Sequence, residues 1–204
     1  SETRTYKDMQ NNLFGVYDIT NDRSNYLRNS TDNQYNDNKR LGALLNLALL
    51  SKSGNNKYEL KNIFNRIDNN RYTDRSGVNA QSDNEIGAEY YYRSRTTTNT
   101  QLTGKHTLPH DLLEWDLSYS YANRRMPDRK HYTIDDALEH GTMILTAGNE
   151  INREFTKLDE HIMSANFNEK HDFKFGSFEP SLKLGGYCEY RSRKYKTRQF
   201  IYSW

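Results

Sequence analysis

The chain has 204 residues, of which 34% are hydrophobic and 27% charged, with 29 Lys+Arg against 27 Asp+Glu. No stretch approaches the ~20 apolar residues of a membrane-spanning helix, and the near-neutral charge excludes the global basic footprint of a nucleic-acid binder. Such polarity suits a disordered chain, but 16 Tyr and an aromatic share of 13% oppose disorder, because aromatic residues favour strands.

The hydrophobic period is two, so the predicted elements are strands. A first strand is predicted within Met9 to Ile19. Leu41 to Leu50 is almost uniformly apolar, with Asn46 its only polar side chain. The SKSGNN segment at 51–56 reads as a short turn, and Tyr58 to Ile67 as a strand of mixed polarity. Residues 69–84 read as a long polar loop. Residues 85–108 contain no Pro and no strong hairpin signal. They are expected to run unbroken for about 80 Å at ~3.3 Å per residue. Arg93 to Thr98 is polar at every position, which suits a strand projecting beyond a bilayer.

Pro109-His110-Asp111 reads as a short turn. The clearest strand follows, with Leu113, Trp115, Leu117, Tyr119 and Tyr121 on one face and Glu114, Asp116, Ser118, Ser120 and Ala122 on the other. Residues 126–156 read as a long connection, with a short helix expected at 134–140. Thr133 with Asp136 loosely matches a capping box there, and Gly141 supplies a stop. Met163, Ala165 and Phe167 mark a weaker strand across 158–170. A short connection at 174–179 leads into a last strand, where Leu182, Leu184, Gly186, Cys188 and Tyr190 alternate with Lys183, Gly185, Tyr187, Glu189 and Arg191.

Short and long connections therefore alternate. Outer-membrane barrels do the same, with short periplasmic turns and longer extracellular loops. A barrel wall also reconciles a polar chain with lipid, because only alternate residues over a band ~25 Å tall meet the acyl chains. The expected fold is all-β: seven or eight antiparallel up-and-down strands of a transmembrane barrel. Residues 1–204 form the barrel segment, and 126–156 its long extracellular loop. Leu113, Trp115, Leu117, Tyr119, Tyr121, Leu182 and Leu184 are expected to face lipid. Glu114, Asp116, Ser118 and Lys183 are expected to face the lumen. Tyr90-Tyr91-Tyr92 and the Tyr119/Tyr121 pair are expected at interfacial girdles, where amphipathic rings concentrate.

The segments FGVYD (14–18), NIFNRIDNNRYTDRSG (62–77), EYYYRSRTTTNTQLTGKHTL (89–108), LLEWDLSYSYANRRMPDR (112–129) and LKLGGYCEYRSRKYKTRQFIYSW (182–204) resemble the barrel of TonB-dependent outer-membrane receptors. The closest flavour is that of Bacteroides-type bacteria. The resemblance implies a barrel of about 22 strands, closed by an N-terminal plug and importing a scarce nutrient with energy from the TonB system. On that reading the chain is a mid-to-late slice of the barrel, and the plug that meets TonB is missing from it. The partners implied are outer-membrane lipid, lipopolysaccharide and a nutrient of the siderophore, vitamin or glycan class.

Arg93, Arg95, Arg124 and Arg125 fall near the outward ends of neighbouring strands. They are the candidate ligand-binding residues, forming a positive mouth that attracts anionic substrates. The basic run from Arg191 to Arg198 reads as a solvated strand end that can touch lipopolysaccharide phosphates, and no nucleic-acid partner is expected. No phosphate-cradling glycine loop, nucleophile elbow or catalytic Cys/His pair is present. No enzyme activity, metal or cofactor is therefore expected. Two alternatives share the strand pattern: a small autonomous outer-membrane barrel and a soluble all-β carbohydrate-binding module.

Overall fold

Strands of this length need partners along their whole length, since every backbone N–H and C=O must be satisfied. The computed structural model describes residues 1–79, 84–137, 142–144 and 151–202, and supplies those partners within one antiparallel sheet. Its strands are β1 (Glu2–Asp18), β2 (Arg23–Leu50), β3 (Asn56–Asn79), β4 (Asn84–Thr107), β5 (Asp111–Ala137), β6 (Thr142–Ile144), β7 (Ile151–Asp172) and β8 (Ser181–Tyr202). Their order is β1-β2-β3-β4-β5-β7-β8, with short β6 pairing on the far end of β5. Each long strand lies beside its neighbour in sequence, an up-and-down meander. The sheet is open, with β1 and β8 at its edges. No helix occurs among the described residues.

One end of the sheet carries three tight connections. The β2–β3 turn places Gly54 at φ 78°, a conformation that costs a glycine little. The β4–β5 turn spans 108–110. In the β7–β8 connection Phe175 and Phe178 bridge each other around Gly176 at φ 65°. We refer to this as the turn end. β1 pairs with β2 only between Arg23 and Asn38, away from the turn end, so Lys39 to Leu50 of β2 has no partner on that side.

The polar segments at the other end are strand rather than loop. The 69–84 region continues β3 to Asn79 and opens β4 at Asn84. The 126–156 region continues β5 to Ala137, and β7 resumes at Ile151. The expected helix at 134–140 begins on residues that pair instead with β4, Ile134 with Ile86 and Thr133 with Gly87. Its remainder, 138–140, lies outside the described residues. The reason is cross-strand chemistry: Arg71, Arg75 and Arg129 meet Glu89, Asp32 and Glu154 across the ladder and Tyr72 meets Tyr35 and Tyr90, which local helix signals do not register. β4 does run unbroken for 24 residues, as its sequence predicts.

Among the described residues, only two hydrophobic ones, Ala88 and Met126, are buried. No second layer of described structure covers either face of the sheet.

Candidate functional site

Directly opposed residues in an antiparallel ladder share a face, so the register assigns every side chain to one side of the sheet. Near the turn end, one row across six strands reads Leu47, Leu60, Leu102, Leu117, Ala165, Cys188. The adjacent row on the opposite face reads Asn46, Lys61, Gln101, Ser118, Ser164, Glu189. We name the two faces apolar and polar after these rows; two residues farther from the turns, Leu44, Ile63 and Ile162 bring apolar side chains onto the polar face as well.

Leu113, Trp115, Leu117, Tyr119 and Tyr121 lie on the apolar face, and the register carries Leu182 and Leu184 onto that same face through His171 and Glu169. Leu117 and Leu184 are exposed, at 50% and 61%. Trp115 lies over Gly104, where a Cβ would collide with the indole, and its Nε1 donates to His106 at 3.0 Å. Glu114, Asp116, Ser118 and Lys183 lie on the polar face. Lys105 pairs there with Glu114 at 3.0 Å, Gln101 donates to Asp116, and Ser118 bonds Ser164 at 2.6 Å.

Farther from the turns, the polar face carries a ladder of ion pairs. Glu89 accepts from Arg71 Nη2 at 2.8 Å and from Arg129 Nε at 2.7 Å. Arg129 also reaches Glu154 at 3.4 Å. Arg75 grips Asp32 through two bonds, of 2.7 and 2.8 Å, and Asn11 donates to the same carboxylate at 3.0 Å. Such fork-to-fork geometry is the strong form of the arginine–carboxylate pair. Burial works to raise the Glu89 pKa, but the Arg129 hydrogen bond and the Arg71 charge outweigh it and hold the group below its ordinary range. Asp32 is likewise lowered: burial opposes ionisation, and Arg75 and Asn11 overcome it. A small cavity of about 150 Å³ lies among Thr73, Arg75, Glu89, Arg129 and His131.

Tyr91 joins this ladder to the expected mouth. Its ring is flanked by the guanidiniums of Arg71, Arg93 and Arg129, at 4.9, 5.8 and 5.8 Å from the centroid. That is cation–π distance. Arg95 lies two residues along β4 on the same face, directly opposite Arg124. The structure thus brings Arg93, Arg95 and Arg124 to the polar face. Arg125 is placed on the other one, opposite Ser94 and Lys157. Among the described residues, no ion pair reaches any of the four.

The three-tyrosine run divides as well. Tyr90 and Tyr92 share the apolar side's face, and Tyr91 the opposite one. Tyr92 lies about 20 Å along β4 from Thr98, the partner of Tyr121, at ~3.3 Å per residue. Tyr90, farther still from Tyr121, belongs to a separate aromatic ladder, Tyr35–Tyr72–Tyr90, whose centroids are 6.0 and 4.7 Å apart. Burial and a hydrogen bond with Tyr90 push the Tyr72 hydroxyl up to about 12.

Arg71, Glu89 and Arg129 carry this site and escape sequence reasoning, since they come from three strands. The available signal was charge alternation within β3, β4 and β5, which acquires meaning only with the register. Among the described residues, no three His, Cys, Asp or Glu side chains gather as a metal site. No protein-family model matches the sequence, and no curated protein is significantly similar to it.

Proposed function

We propose that this chain is part of the wall of a bacterial outer-membrane β-barrel, in a TonB-dependent receptor that takes up an anionic or polyhydroxylated nutrient. The observation that carries the proposal is the pair of adjacent rows, apolar on one face and polar on the other across six strands. Lipid on one side and a wet lumen on the other require that division. The Leu113–Tyr121 stretch matches the ~9–11 residues of a tilted crossing. A soluble module would bury its apolar face against a second layer, whereas here Leu41, Leu45, Leu47, Leu49 and Leu184 are each more than half exposed. The TonB-dependent class rests on the whole-strand resemblance of residues 62–77, 89–108, 112–129 and 182–204.

Above the band, Arg93, Arg95 and Arg124 form the positive inner surface that attracts the nutrient, and Glu89 anchors the arginines beside it. The polar row closer to the turns lines the path below.

The test is a pair of substitutions on adjacent residues. Leu117→Arg places a charge against acyl chains and costs about 2–4 kcal/mol of folding stability in bilayers. Ser118→Arg faces water and costs well under half of that. Equal costs in denaturant titrations of the lipid-embedded chain would contradict the face assignment.

A further inference from the structure

Just beyond the apolar band, the same face carries three cations in one row. Arg125 of β5 lies opposite Lys157 of β7, which lies opposite Lys196 of β8. Like charges placed directly across a ladder repel. Arg198 adds a fourth cation one step along β8, opposite Phe155. The nearest acids are engaged elsewhere or shared: Asp128 is gripped by Arg153 through two bonds of 2.7 Å, and Asp159 holds Lys157 at 2.9 Å while taking hydrogen bonds from Tyr121 and Asn123. Arg125, Lys157, Lys196 and Arg198 surround a depression of about 550 Å³, with Pro127 and Phe155 in its wall.

We propose that this depression binds the phosphate group of an outer-leaflet lipid. The inference rests on the outer-membrane reading and adds a specific lipid site to it. Height supports the assignment. Arg125 lies about 13 Å along β5 beyond Tyr121 at ~3.3 Å per residue, or about 9 Å in height at a ~45° tilt. The headgroup layer begins there, and long Lys and Arg side chains reach back toward it. The lipid's acyl chains then lie along the face below, against Tyr121, Met163 and Tyr190. A phosphate monoester, with up to two charges, suits a depression lined by Arg125, Lys196, Arg198 and the Asp159-paired Lys157 better than a zwitterionic headgroup does.

The experiment compares flotation of the refolded chain with two vesicle types, phosphatidylcholine alone and phosphatidylcholine containing a minor fraction of lipid A. The wild-type chain is expected to float with both and to partition more strongly into the second. In Lys157→Gln/Lys196→Gln, that gain is expected to fall about fivefold for each cation removed, while flotation with phosphatidylcholine alone stays unchanged. Far-ultraviolet circular dichroism of the variant verifies that the strands persist. Equal partitioning of the wild-type chain into both vesicle types, or a gain that survives the double substitution, overturns the phosphate site and leaves the membrane reading intact. Failure to float with either vesicle overturns both.

Discussion

Glu89 holds two guanidiniums while only 14% of its own side chain is exposed. Glu89→Gln removes the charge and leaves Arg71, Arg93 and Arg129 crowded around Tyr91 without that counter-ion. The expected loss is about 2 kcal/mol, the range of a hydrogen bond to a charged group, and chemical denaturation of the lipid-embedded chain measures it. The same carboxylate sets a pH dependence. Glu89 and Asp32 ionise more readily in the folded chain than in the unfolded one, and Asp128 does so too because Arg153 hydrogen-bonds it. Their stabilisation is complete above the unfolded carboxylate values near pH ~4 and is lost as pH falls through the lower folded values. Melting temperature is therefore expected to drop below about pH 4, with a shallower drop in Glu89→Gln. An identical pH profile for the variant would remove Glu89 from the account. Gly104 makes a purely steric prediction. A side chain there meets the Trp115 ring, so Gly104→Val is expected to shift the indole emission and cost about 1–3 kcal/mol.

At the scale of elements, the irregular point is the β5 bulge. Between Met126 and Arg129 the register of β5 against β7 slips, and Asp128 sits there at φ 57°. Asp and Asn tolerate the left-handed region where β-branched residues do not. Asp128→Asn is expected to keep the bulge and lose only the Arg153 and Lys130 pairs. Asp128→Val is expected to cost about 1–2 kcal/mol more, as read from relative unfolding midpoints. The bulge also reverses which alternate residues of β5 face the polar side, which is how Arg129 arrives beside Glu89 while Arg125 ends on the other face. That reversal explains where sequence reasoning stops. The alternation of Leu113 to Tyr121 is local, so its two faces were legible, as was the unbroken run of β4. The same alternation already separates Arg125 from Arg124, so the expected grouping of Arg125 with Arg93, Arg95 and Arg124 overlooked a legible signal, whereas the arrival of Arg129 beside Glu89 depends on the bulge and was not legible. The 126–137 stretch looked like a loop because its partners, Asn84 to Tyr90 of β4 and Asn152 to Thr156 of β7, are distant in sequence.

On the scale of the whole molecule, a single sheet that no second layer covers among the described residues draws its stability from its surroundings. Its apolar row runs through six strands and stays largely uncovered, which water penalises at about 25 cal/mol per Å² of apolar surface. The edge of β2 from Lys39 to Leu50 and the outer edge of β8 also carry unpaired backbone groups, which are templates for further strands. Both features accord with the proposed setting of the sheet in a lipid bilayer. Trp115 lies on the apolar face beside Phe167, next to the leucine row, and Trp204→Phe leaves it as the sole tryptophan, excited apart from the 16 tyrosines at the red edge of the absorption band. The decisive measurement is its quenching in vesicles of phosphatidylcholine brominated along the acyl chains, against aqueous acrylamide. Strong quenching by the brominated lipid with protection from acrylamide is the predicted result. Free access to acrylamide with no effect of bromine would contradict a lipid-facing sheet.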